Sequence, residues 1–268
     1  MSRRPFDPHH FWRDQALPFL EARQVADGRN ACYGLHSHRT FSIGVVSTGR
    51  SSYRNGRLRH EIKAGTVVLV NPEEAHACNP LKGSPWAYRM LYVDPAWLSD
   101  QSESAEFRPY AAAASDDPDV YRRLDGLFDV LFDANAEALA KDCAATAFFA
   151  GLHDRLERID GRVIAANPNL ARAAAFISDN CTRRLRLTEI ADTSGLSPSY
   201  LVRAFKVRYG MTPHAYQVNR RIQFGQSELR LGRPIVDVAL SAGFADQAHF
   251  QRVFKRHVAT TPRRYAQP

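Results

Sequence analysis

A chain of 268 residues with 44% apolar and 24% charged side chains has the balance of a folded protein of two ordinary domains, which sets aside disordered and fibrous classes. No run approaches twenty unbroken apolar residues and the opening MSRRPFDPHHFWRD lacks the apolar core of a signal peptide, so the chain is expected to be soluble and cytoplasmic with no membrane partner. The net charge of +8 is uneven: residues 168–268 hold 16 Lys/Arg against six Asp/Glu, whereas residues 1–167 hold 20 against 22, so the last third alone has the footprint of a polyanion binder.

Residues 1–30 carry a weak signal, in which Phe11, Trp12, Phe19 and Leu20 suit a short amphipathic element without a role. From Tyr33 the pattern turns to strands. Phe41, Ile43 and Val45 alternate with Ser42 and Gly44, Asn55-Gly56 is a hairpin signal, Thr66 to Val70 is β-branched, and Tyr88 to Val93 follows the loop from Pro80 to Pro85. Short strands with no helical pattern between them predict a small β-barrel or jelly roll. Ala105 to Pro118 reads as a linker or surface helix. Leu124, Leu127, Phe128 and Leu131, then Ala144, Phe148, Leu152, Leu156 and Ile159, predict two amphipathic helices that either close over the barrel or present a dimer surface. Gly161 to Pro168 is the best boundary, because the helical pattern stops and the charge balance changes there. Cys32, Cys78, Cys143 and Cys181 are too scattered for a disulfide scaffold or a CxxC zinc site, which leaves reduced, mostly buried thiols as the expectation.

Beyond the boundary a supporting helix from about Asn169 should bury Leu170, Ala174 and Ile177. Then comes LTEIADTSGLSPSYLVRAFKVRYGMTP, Leu187 to Pro213. Thr188 can cap a short helix, Gly195 supplies a tight turn, Ser197-Pro198 starts the next helix, and Leu201 and Phe205 share one face of it. The pattern returns from Pro234 as PIVDVALSAGFADQAHFQRVFKRHVATTP, with Val238, Ala239, Gly243 and Phe244 matching Ile190, Ala191, Gly195 and Leu196, and Asp246 in the N-cap place of Ser197. These are two helix-turn-helix units in tandem, joined by a helix from Thr212-Pro213 with Val218, Ile222 and Leu229 on its buried side. Gly225 weakens that helix by roughly 1 kcal/mol against alanine, which points to close packing. Gly210 ends the first recognition helix, but Ala259 stands at the equivalent place in the second, where a positive φ costs on the order of 1 kcal/mol and predicts fraying or a different cap.

These residues resemble the AraC/XylS family of bacterial transcription regulators. GFADQAHFQRVFKRHVATTPRRY is similar to the family's signature segment, and HSHRTFSIGVVSTG with AGTVVLVNPEEAH is similar to its cupin-like sensor domain. The resemblance implies an α+β protein: a cupin-like effector-binding barrel over residues 1–115, a helical linker and possible dimerisation region over 116–165, and a DNA-binding domain over 166–268 with units at 187–210 and 235–258. It implies seven helices in the last domain, double-stranded operator DNA, RNA polymerase and a small-molecule effector as partners, and activation rather than repression. Gly225 and Glu228 depart from the small or apolar helix formers usual in the family, which puts the rigidity of the joining helix in question.

With Leu201 and Phe205 in the core, Ser199, Val202, Arg203 and Lys206 are left to face DNA, and Arg203 is the strongest base reader. With Phe250 and Phe254 in the core, Gln247, His249, Gln251 and Arg252 project, Gln251 and Arg252 toward bases, His249 and Lys255 toward phosphates. Thr188, Arg221 and Arg263 are either phosphate contacts or packing residues. In the barrel, Tyr53, Trp86, Tyr88 and Arg89 join His36, His38 and His76 as effector-pocket candidates, Arg89 hinting at an acidic effector. The same three histidines admit a divalent metal, but the glutamate that completes such a cupin site is replaced by Phe41-Ser42-Ile43, so imidazoles hydrogen-bonded within the barrel are the plainer reading. No cofactor and no catalytic set is assigned, and an enzymatic metal cupin or a ligand-free dimerisation barrel remain the alternatives.

Overall fold

The computed structural model describes residues 9–56, 58–101, 106–159 and 167–267; the boundary expected at Gly161 falls outside them. Among the described residues the N-terminal half holds eight strands: β1 (His9–Arg13), β2 (Leu20–Val25), β3 (Phe41–Asn55), β4 (Leu58–Lys63), β5 (Val67–Val70), β6 (His76–Pro80), β7 (Trp86–Val93) and β8 (Ala114–Ser115). They pair antiparallel, in the order β1-β2-β7-β3-β5-β8 in one sheet, with β4 and β6 flanking the far end of β3. β3 spans 15 residues and shifts register against β7 between Val46 and Thr48, and this irregularity turns one strand from the first sheet into the second. The hairpin at Asn55 forms, although Asn55 is still a paired residue, opposite Leu58.

Two stretches that carried weak signals are structural. The segment with Phe11, Trp12 and Leu20 is no free amphipathic element but the β1–β2 hairpin, extending the sheet beside β7. The stretch read as linker or surface helix ends in β8, which pairs with β5 at Val67 and Val68, and buries Tyr110. The helices α1 (Pro95–Gln101), α2 (Pro118–Phe132) and α3 (Ala138–His153) close the open side of the barrel, with Leu124, Phe128, Leu131, Phe148 and Phe149 packed on Phe41, Ile43, Leu69 and Leu91. α3 stops before Leu156 and Ile159, and Ile159 instead donates its backbone N–H to Pro109.

Seven helices follow among the described residues: α4 (Pro168–Asp179), α5 (Leu187–Ser194), α6 (Pro198–Tyr209), α7 (Pro213–Arg230), α8 (Ile235–Ser241), α9 (Gln247–Val258) and α10 (Pro262–Tyr265). Most are capped by their own sequence. Asn167, Ser197, Thr212, Asp246 and Thr261 each accept a first-turn amide with the side chain. Thr188 does not cap α5, which starts at Leu187 with Glu189 accepting the Arg186 N–H at 3.4 Å. α7 runs unbroken through Gly225 and Glu228. A Cβ on Gly225 would stand 2.9 Å from the Phe250 ring, so the glycine is there for close approach, and Glu228 is paired with Arg233 at 2.9 Å. No described helix is long and apolar enough to cross a membrane. Cys32 and Cys143 are exposed and only Cys181 is buried, contrary to the expectation of mostly buried thiols.

Candidate nucleic-acid interface and effector cavity

Each helix-turn-helix unit has its own core. In the first, Leu201 and Phe205 pack with Ile190, Ala191, Leu170, Ile177 and Tyr216; in the second, Phe250 and Phe254 pack with Val238, Ala239, Phe244, Ile222 and Leu229. The rest of each recognition helix is released to solvent. On α6, Ser199, Arg203 and Lys206 are exposed and Val202 half-buried, positions spaced as one stripe; on α9, Gln247, Gln251, Arg252 and Lys255 are exposed. His249 is half-buried, with its ring edge-on to Phe244 at 5.3 Å, and its backbone N–H donates to Asp246 at 2.6 Å. Tyr200 and Val207 also stand exposed on α6, residues the sequence reading left out.

The two units are fastened by Arg221. Its Nε donates to the Cys181 carbonyl at 2.7 Å, one terminal nitrogen to Arg183 at 2.9 Å and the other to Gly243 at 2.7 Å, so this arginine holds the turn of the second unit against the loop before the first and is a packing residue. Gln217 supports it, donating to the same Cys181 and Arg183 carbonyls. Thr188 and Arg263 are exposed.

The barrel is seated on both units. Ala75 joins the first core and Phe11 the second. On α7, Asn219 donates to the Ser37 carbonyl at 3.0 Å and accepts the Ser37 N–H, Gln223 donates to the same carbonyl at 2.7 Å, and Arg220 pairs with Glu73. This seam explains why Asn219 and Arg220 are buried while Val218, expected inside, is half-exposed. At the end of α9, whose last carbonyls lack helical partners, Gly34 N–H donates to Arg256 at 2.8 Å and Arg23 to Val258 at 2.9 Å. Ala259 takes the left-handed conformation, φ 54°, and donates to Lys255, so α9 ends on the same kind of cap as Gly210 gives α6 and not on a different one.

Along the seam lies a cavity of about 820 Å³, walled by β1, β2, the 33–40 segment and Tyr92 on one side and by α7, His257, Val258 and Tyr265 on the other. A pocket of about 50 Å³ inside the barrel shares Tyr33, His36 and Tyr92 with it and adds His76, Cys78, Trp86, Tyr88 and Met90. The structure thus brings His36, His38, His76, Trp86 and Tyr88 to the walls of these two pockets. Two candidates fall away. Tyr53 is fully buried, its hydroxyl donating to the Leu69 carbonyl at 2.7 Å, so it is part of the sheet. Arg89 reaches the lining of the small pocket, but its guanidinium is spent on Asp125 and Asp129 of α2, at 3.2 and 2.6 Å.

The histidines form a packed trio. His36 and His76 are joined by paired backbone hydrogen bonds, and the ring centres lie 4.3 Å (His36–His76), 4.7 Å (His38–His76) and 6.2 Å (His36–His38) apart. Each Nδ1 meets a carbonyl, of Gly34, Thr40 and Glu74 at 2.8–3.0 Å. A carbonyl only accepts, so Nδ1 carries the proton and Nε2 keeps its lone pair. Burial, then neighbouring imidazoles, pushes His38 and His76 down to about 3, and His36 well below the ordinary value. Two imidazoles sharing zinc at the usual nitrogen distances hold ring centres about 5 Å apart. Here two of the three pairs are closer and the third is farther, and no group of three or more His, Cys, Asp or Glu among the described residues is arranged to hold a metal ion. The three rings pack against one another, each imidazole hydrogen-bonded within the barrel.

Comparison with known proteins agrees with both halves. Residues 19–149 match the model of an AraC-like ligand binding domain and residues 190–267 that of a helix-turn-helix domain. The HTH-type transcriptional regulator YbfI of Bacillus subtilis is 25% identical over 224 residues, 80% of each chain. The regulatory protein SoxS of Escherichia coli is 36% identical over 92 residues, 34% of this chain and 86% of SoxS. Among solved structures, an apo ToxT variant from Vibrio cholerae shares the fold with a TM-score of 0.59 over 92% of this chain and 96% of that one, at 13% identity.

Proposed function

The chain belongs to the AraC/XylS family of transcription regulators, and from that premise we propose that it is an effector-responsive activator reading two successive major-groove segments with α6 and α9. The observation that carries this is the pair of capped helices whose basic and polar stripes are free of the core, fixed to each other by α7 and Arg221 on a domain of high positive charge. In this reading residues 1–115 sense, 116–165 link, and 166–268 bind DNA. Arg203 reads guanine, Val202 meets a thymine methyl, Gln251 and Arg252 read bases, and Ser199, Lys206, Gln247, His249 and Lys255 fix the register on sugar and phosphate.

The effector binds in the seam cavity, and it acts by its differential affinity for two arrangements of barrel and DNA-binding domain. We assign no catalytic step, in keeping with relatives that are transcription regulators. Cytoplasmic location and an encounter with RNA polymerase belong to the same reading, as does a homodimer through α3, whose Leu139 is 72% exposed.

Genome-wide selection of bound fragments, followed by affinity for the top site at two salt concentrations, tests the proposal. A recurrent site with two short blocks one turn apart is expected. Binding that depends on salt but not on sequence would reduce the interface to phosphate contacts and sink the specific-regulator reading.

A further inference from the structure

Resting on the reading of DNA by α6 and α9 above, we propose that the β3–β4 hairpin of the barrel is a third contact with the operator, laying Arg54 and Arg59 on the phosphate backbone beside the block that α6 reads. The N-terminal half of the chain is slightly acidic, yet residues 50–63 concentrate five Lys/Arg against the single Glu61. The structure divides that charge. At the end far from the turn, Arg50 is paired with Glu61. At the turn, Arg54 stands directly opposite Arg59, and no carboxylate pairs with either among the described residues. Like charges facing each other across a strand pair destabilise it, so folding alone does not favour this pair.

The turn also lies against the first helix-turn-helix unit. Arg54 Nε donates to the Gly56 carbonyl at 3.2 Å, the Gly56 N–H donates to the Ala75 carbonyl at 2.8 Å, and Ala75 packs in the core of the first unit, where a Cβ on Gly210 would meet it at 2.7 Å. Ser199, Arg203, Lys206 and Gly210 follow one another at helical spacing, so the stripe turned to DNA runs down α6 to the place where the barrel begins. The carboxylates that the barrel brings there are occupied: Glu73 holds Arg220, and Glu74 accepts from Asn55 and Asn71 at 3.1–3.2 Å. Exposed Lys206 and Arg208 on α6 and exposed Arg59 on β4 therefore continue as one cationic band, the complement of a phosphate backbone. Protection of a sheet edge does not account for it. β4 is paired on one side only, but a charge of either sign guards an edge, and a glutamate in place of Arg59 would guard it and pair with Arg54 as well. Because the hairpin belongs to the sensor half, the contact is made only in arrangements that keep Ala75 on the end of α6.

The test is the affinity of the full chain for its selected operator and for an unrelated duplex across a salt series, on wild type, Arg54→Ala, Arg59→Ala, the double variant, Arg54→Lys with Arg59→Lys, and Arg50→Ala as the paired control. Arg54→Ala and Arg59→Ala should each weaken binding to both duplexes by roughly fivefold near physiological salt and lower the salt slope by about 1. The lysine variant should keep the slope, and Arg50→Ala should leave it unchanged. Ethylation interference places the contact: phosphates flanking the block read by α6 should matter for wild type and cease to matter for the double variant. An unchanged slope in the alanine variants, a lysine variant that loses the slope as alanine does, or interference confined to the two blocks overturns the proposal; the wild-type interference pattern decides even if a variant does not fold. If selection yields no recurrent site, base reading by α6 and α9 fails while the slope on the unrelated duplex still decides the hairpin. Binding to vesicles of anionic lipid that the double variant loses, with the DNA slope unchanged, would give this face to a membrane and overturn the DNA contact.

Discussion

The two helix-turn-helix units share a plan and differ in how they end. The first is closed by its own glycine, Gly210 at φ 72°, and meets the barrel at this cap, where Ala75 packs, and at Leu35. The second ends on Ala259 in the same left-handed conformation, and its final carbonyls take donors from the barrel, Gly34 to Arg256 and Arg23 to Val258. A strained alanine cap is tolerated where outside groups satisfy the turn. The first unit thus caps its own recognition helix while the last carbonyls of the second are completed by the sensor, so a change at the seam should be felt first in α9.

Acid makes the largest test of that asymmetry. His38 and His76 are held at about 3 in the fold against 6.5 unfolded, so the unfolded chain binds more protons between those values. Their contribution is complete above pH 6.5 and is lost as pH falls toward 3, at up to about 1.4 kcal/mol per pH unit for each histidine. Hydrogen exchange should show the end of α9 losing protection before α6; simultaneous loss would mean the seam does not distinguish the units. Next come the cores. Phe205→Ala and Phe254→Ala should each cost about 3–5 kcal/mol in denaturant unfolding. A much smaller loss for Phe254→Ala would show that the second core depends more on the barrel than on its own aromatics.

Smaller effects separate the two readers. Arg203→Ala should relax base preference at one position by about 1–3 kcal/mol in a binding-site selection, while Lys206→Ala should weaken all sites alike and lower the salt slope by about 1. An unchanged preference in the first case removes Arg203 as a base reader. The smallest pair inverts the caps. Ala259→Gly should raise stability by about 0.5–1 kcal/mol by thermal melting, and Gly210→Ala should lower it by at least that much, because the added Cβ would stand 2.7 Å from Ala75. Equal and small responses would mean that neither cap is under strain.

What could be read from the sequence was local. Ser197, Asp246 and Thr212 as caps, the apolar spacing of Leu201, Phe205, Phe250 and Phe254, and the β-branched run at Val67 to Val70 act within a few residues, and each is found as read. The seam could not be read this way. β2 is buried on both faces, Leu20 and Ala22 toward the barrel core and Arg23 and Val25 on the other side, so its alternation is hidden and Arg23 looks like any surface arginine. Asn219 and Arg220 fall on the polar side of α7 by pattern, and only the barrel lying there buries them. Of the pocket candidates, the histidines and Trp86 and Tyr88 were legible by type, whereas the fates of Tyr53 and Arg89 depended on Leu69 and on α2, partners distant in the chain.

α7 and Arg221 also give the bound gene a direction. Two unlike readers on one stiff arm have no two-fold axis between them, so the site they match has a head and a tail and cannot be reversed without being lost. A palindromic site carries no such arrow, and a promoter served by it can be approached from either side. Here the orientation of the site on the duplex fixes which face of the regulator looks downstream, and an inserted base pair between the two blocks, by rotating one around the helix away from the other, would erase the message while leaving every letter of it intact.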